Sequence, residues 1–95
     1  MLRTTVFDAA RYIDSPEAEA ELLAEALASG DSGYITLALG IIARARGMSQ
    51  VARDAGVSRE ALYKALSGSG DPKLSTLLGV LNALGLKLRI DAKAA

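Results

Sequence analysis

The stretch QVARDAGVSREALYKAL, residues 50–66, is a run of good helix formers broken once, at Gly56. Glycine inside a helix costs ~1 kcal/mol relative to alanine, so its presence there needs a reason. A sharp corner between two short helices supplies one, because the corner residue adopts a positive φ that glycine tolerates without strain. The neighbours fit that reading. Ala52 is small where the two helices would come closest, Val57 can fill the space under the turn, and Ser58 is a good N-cap for the second helix. In that helix Ala61, Leu62, Ala65 and Leu66 share one face, which leaves Arg59, Glu60, Tyr63, Lys64 and Ser67 outside.

The outer face is rich in groups that meet nucleic acid. Arg pairs with guanine and Glu accepts from cytosine, while Tyr, Lys and Ser contact phosphate oxygens. In helix–turn–helix proteins the second helix enters the major groove with its N-terminal residues at the bases. A small residue, a glycine and an amphipathic helix also occur in bundles that bind no DNA. The excess of positive charge around this pair, the cap at Ser58 and the Leu-rich segment that follows favour a reading helix.

The charge pattern carries the same message. The chain is formally neutral, with 11 basic and 11 acidic residues, but the two signs are segregated. Residues 1–43 hold two basic groups against seven acidic ones, residues 44–73 six against three, and residues 74–95 three against one. An acidic front and a basic back suggest two partners of opposite charge. Glu17, Glu21 and Glu25 stand at i, i+4 spacing, either as an ordinary solvated face or as a landing strip for a basic protein. Arg44 and Arg46 either complement the negative end of a helix dipole or touch phosphates beside the reading helix.

With no Cys and no His, the chain has no thiol or imidazole chemistry and no zinc site of the usual type. Enzymatic activity, a metal and a cofactor are not expected. MLRTTVFDAARY lacks the apolar run of a signal peptide and no segment has the ~20 apolar residues of a membrane span. A cytoplasmic protein is the expectation.

Ninety-five residues suffice for one domain. The punctuation predicts an all-α fold of five or six helices within residues 1–95. A short helix is expected over Asp8–Ile13. The next starts at Pro16, with Ser15 as cap, and stops at Gly30, its apolar face formed by Leu22, Leu23, Ala26 and Leu27. Asp31 caps a helix over Ser32–Arg46 that is apolar on nearly all sides, so it is either central or covers a partner. The acidic helical part thus spans residues 1–47, and the two-helix motif 48–67 has its helices at Ser49–Ala55 and Ser58–Ser67. GSGDP is a loop, and a closing helix spans residues 73–84 with Leu74, Leu77, Leu78, Leu81 and Leu84 facing inward. LKLRID, residues 86–91, alternates with the period of a half-buried strand. Such a strand needs a neighbour, either Leu2–Val6 or its own copy in a second subunit, and a homodimer is expected.

MSQVARDAGVSREALYKALSGSGDPKLSTLLGVLNALGL resembles the phage-repressor-like (Cro/repressor, Xre-type) DNA-binding domain, through GVS at the turn and DPKLSTLLGVLNALGL after the reading helix. It departs at Met48, where those domains usually carry Gln; Gln50 and Ser49 are the candidates to replace its phosphate contact. From Thr5 to Ile90 the segments TTVFDAARYIDSPEAEAELLAEALASGD, LALGIIARARGMSQVARDAGVSREALYKALS and LNALGLKL resemble the addiction-module antidote family, HigA-like antitoxins of type II toxin–antitoxin pairs. The resemblance implies a small dimeric antitoxin that neutralises a RelE/ParE-type toxin and binds operator DNA to repress its own operon. A stand-alone helix–turn–helix regulator with no toxin is the alternative.

Overall fold

The computed structural model describes residues 15–93. The expected helix over residues 8–13 and the Leu2–Val6 stretch lie outside the described residues. Five helices follow in order: α1 Pro16–Ser29, α2 Ser32–Arg46, α3 Met48–Ala55, α4 Arg59–Ala65 and α5 Leu74–Ala83. Their ends are set by local chemistry. The Ser15 hydroxyl accepts from the Ala18 N–H at 3.1 Å, and one oxygen of Asp31 accepts from the Gly33 and Tyr34 N–H groups at 2.9 and 3.3 Å. Each removes an orphan donor at a helix start. Gly30 closes α1 in the left-handed region.

α2 is the central helix, with every residue from Ala38 to Ala43 buried. α1 packs on α2, and α3 touches α2, α4 and α5. Leu39 and Ile42 of α2, Leu62 of α4 and Val80 of α5 are the largest fully buried side chains. Each contributes ~1.5–3 kcal/mol by leaving water. This decides the fate of α4, whose seven residues are far too few to persist alone; Leu62, with Leu66 just beyond the helix, anchors it. α3 and α5 approach closely at Gly79, where a Cβ would sit 3.1 Å from the Ala55 carbonyl oxygen.

Two expectations about apolar residues are corrected. Of the five leucines assigned inward in the closing segment, Leu81 and Leu84 are buried and Leu77 half-buried, but Leu74 is 67% and Leu78 48% exposed. Val80 takes the inward place, because the buried positions 77, 80, 81 and 84 follow the i, i+3, i+4, i+7 stripe and Leu78 lies to its side. The expected C-terminal β-strand is also absent among the described residues. Leu86 closes α5 by donating to the Leu81 carbonyl at 2.9 Å, and residues 87–93 continue with no backbone ladder to any described segment. Alternation alone makes no strand without a neighbour to exchange hydrogen bonds with; Ile90 is 97% exposed. No helix among the described residues is long and apolar enough to cross a membrane.

One ion pair joins three helices. Arg46, at the end of α2, donates from Nε to Glu19 Oε2 at 2.8 Å and from Nη2 to Glu19 Oε1, and its Nη2 also reaches the Leu84 carbonyl at 3.0 Å. The Glu19 side chain is only 4% exposed, that of Arg46 35%. The carboxylate raises the Arg46 pKa, chiefly through this hydrogen bond, against the opposing effect of burial. Arg46→Met leaves a buried carboxylate unpaired and should cost about 3 kcal/mol in urea unfolding. Pairing it with Glu19→Leu should restore most of that loss, whereas a merely additive double variant would show that the pair is not coupled.

Candidate nucleic-acid interface

The corner between α3 and α4 is built as the sequence suggests. Gly56 sits at φ 75° and ψ 26°. Its N–H donates to the Arg53 carbonyl at 3.2 Å, and the Val57 N–H reaches back to the Ala52 carbonyl at 3.0 Å. These are the two bonds of a Schellman helix end. Val57 packs half-buried against the core beside the buried Ala52. The Ser58 hydroxyl then accepts from the Ala61 N–H at 3.0 Å and starts α4.

Arg59, Glu60, Tyr63 and Lys64 all lie on the exposed side of α4. Ala61, expected to face inward, is exposed as well, so Leu62 is the only buried residue within the helix. Ser67 is half-buried and its hydroxyl donates to the Lys64 carbonyl at 2.9 Å, which ties it to the helix end. Next to α4 an open depression of about 540 Å³ is lined by Arg44, Ser49, Gln50, Arg53, Arg59 and Tyr63, with Gly47 and Met48 at its base. Ser49 and Gln50 are exposed, while Met48 is buried and anchors the start of α3. The Gln50 amide donates to Asp54 at 2.9 Å and accepts from Arg53 at 3.4 Å. α3 begins at Gly47 with no side-chain cap, so its first N–H groups carry the positive end of the dipole toward that depression.

The three arginines reach the depression from three helices. Arg44 lies over Gly40, where a Cβ would stand 2.7 Å from its Nη1; the missing side chain makes the room. Arg53 was not among the sequence candidates, although its position four residues after Ser49 and three after Gln50 puts it on the same face. Arg46, by contrast, is not at this surface: its guanidinium is held by Glu19 and Leu84. A phosphate role for Arg46 would require breaking that pair.

A family model described as "Probable addiction module antidote protein" matches residues 3–92. The chain belongs to this family. A Haemophilus influenzae (strain Rd) protein, described as uncharacterized, is 50% identical over 85 residues, which cover 90% of this chain and 88% of the relative. No solved structure matches.

As an addiction module antidote, the chain has a second face of interest on α1. Glu17, Glu21 and Glu25 are exposed there, and α1 has no basic residue. Glu19 belongs to the same run but points inward, and its spacing of three, four and seven residues from Leu22, Leu23 and Ala26 was the signal for it. Partial burial, and then the Glu25 carboxylate, push the Tyr34 phenol above its ordinary pKa.

At Gly56 a Cβ would meet nothing within 4 Å, so Gly56→Ala should cost only the left-handed backbone strain, about 1–2 kcal/mol. Gly56→Asn, which tolerates that region better, should recover part of it. Equal unfolding midpoints for the two variants would show that the corner does not need its positive φ.

Proposed function

We propose that this antidote binds operator DNA with α4 in the major groove, and that it neutralises a RelE/ParE-type toxin while repressing its own operon as a homodimer in the cytoplasm. The observation that carries the DNA reading is the convergence of Arg44, Arg53 and Arg59 on one depression beside a short helix turned outward at Gly56. In this arrangement Arg59 and Glu60, at the start of α4, meet base edges. Tyr63, Lys64, Ser49 and Gln50 flank them. Arg44, Arg53 and the uncapped start of α3 take phosphates. A dimer would place two such helices about 34–36 Å apart on a two-fold operator. Family membership supports the toxin side, and the acidic face of α1 is the surface that a basic toxin fits.

Binding of the full chain to duplex from its own promoter, titrated across salt concentration, tests the DNA reading. Affinity should fall steeply with salt, and Arg44→Ala or Arg53→Ala should each lower the log–log slope by about 0.9. A flat slope, or equal affinity for unrelated duplex, would defeat it. The toxin reading is tested by expressing the reading frame adjacent to this one with and without the antidote. Growth arrest relieved by co-expression is expected, with a complex that co-purifies and that Glu17→Lys, Glu21→Lys, Glu25→Lys together weaken while DNA affinity holds. A harmless neighbour that does not co-purify would leave a stand-alone regulator, and a triple variant with unchanged toxin affinity would remove α1 as the contact.

A further inference from the structure

We infer that Tyr63 positions Arg59, and that the pair makes each operator half-site carry a guanine read through its O6 and N7 edge. This rests on the DNA-binding reading above and goes beyond it by naming the base and the residue that organises its reader. Arg59 is the first residue of α4, the end that a helix of this kind turns toward the bases. Its guanidinium carbon lies over the Tyr63 ring, 5.4 Å from the centroid, and its Nη2 stands 3.4 Å from the Tyr63 hydroxyl. The ion pairs among the described residues are Arg46–Glu19 and Arg89–Asp91, so no described carboxylate competes for Arg59.

One Nη2 hydrogen is directed at that hydroxyl, but each Nη carries two, so a planar cation over an aromatic face still keeps an edge of parallel N–H donors free. Two adjacent acceptors in the major groove are the signature of guanine. Arginine on an exposed helix ordinarily loses rotamer freedom when it binds, at a cost in affinity for each side chain immobilised. The stack on Tyr63, one turn along the same helix, removes part of that cost before DNA arrives. Glu60, the neighbouring residue, has only acceptors and is repelled by the guanine edge. Lys64 is in the last turn of α4, away from the leading end.

The test selects duplexes from a random-sequence pool with the full wild-type chain, then replaces each guanine of the selected duplex in turn by 7-deazaguanine, which lacks the N7 acceptor. At one guanine per half-site the wild type should lose about ten-fold in affinity. Arg59→Met removes every donor and should lose that discrimination. Tyr63→Ala should lose much of it and Tyr63→Phe should retain most, each variant keeping the wild-type circular dichroism. Tyr63 is 39% exposed, so these changes leave the core intact. A selected duplex with no N7-sensitive guanine overturns the inference and leaves DNA binding standing. So does a penalty unchanged in Arg59→Met or in Tyr63→Ala. Failure to select any sequence overturns both.

Discussion

The arrangement of the helices depends on the need to satisfy one buried carboxylate. Glu19 enters the apolar face of α1 between half-buried and buried residues, and its charge must be met there or not be present. Arg46 meets it with two donors and uses one of them again on the Leu84 carbonyl. α1 otherwise meets the core through Leu23, Ala26 and the half-buried Leu22, apolar contacts that carry no directional preference of their own. The ion pair adds a directed contact, because two N–H donors must meet two carboxylate oxygens. It also ties the end of α2 to the end of α5, the two boundaries between which the turn-forming helices lie.

Within that frame α3 is the element on which the reading helix is hung. It touches α2, α4 and α5, and its approach to α5 is close because Gly79 has no side chain to hold Ala55 away. α4 has too few residues for cooperative stability, so its direction is inherited: the Schellman end of α3 fixes where it leaves, the Ser58 cap where it starts, and Leu62 and Leu66 how far it leans. The exposed side chains of α4 therefore occupy positions determined by buried ones. That is the condition for a binding surface whose parts are held in place before the partner arrives.

Much of this was legible in the sequence, because caps and corners are local chemistry. Ser15, Asp31, Ser58, Gly30 and Gly56 act within three or four residues of themselves, and the structure uses each as read. What was not legible has a common cause: it depends on what the fold brings near. Arg46 looked like a dipole partner or a phosphate ligand, since nothing within a few residues of it announces a carboxylate 27 positions earlier. The leucines at 74 and 78 looked like core until the direction of α5 against α3 selected Val80 instead. LKLRI has the alternation of a strand, yet pairing is a property of two segments, and the described segment beside it is the helix α1, which offers no free backbone edge. At the candidate interface the spacing of Arg53 from Ser49 and Gln50 was legible, but its relation to Arg44 and Arg59 exists only once three helices have met.

The distribution of charge follows from the same architecture. The chain is formally neutral, so it exerts no net long-range attraction on either a nucleic acid or a basic protein. At physiological ionic strength fields from exposed charges fade within about 8–10 Å, and what a partner meets is therefore the local patch. The exposed glutamates lie on α1, and the arginines around the depression come from α2, α3 and α4. Among the described residues the ion pair between α1 and these helices is Glu19 with Arg46, the carboxylate buried and the guanidinium partly exposed. Because the two charges cancel each other, that pair adds to neither patch, and the acidic face rests on Glu17, Glu21 and Glu25 and the basic one on Arg44, Arg53 and Arg59. On the proposed function, this is how one small domain can offer separate surfaces to two partners of opposite charge without the two surfaces neutralising each other.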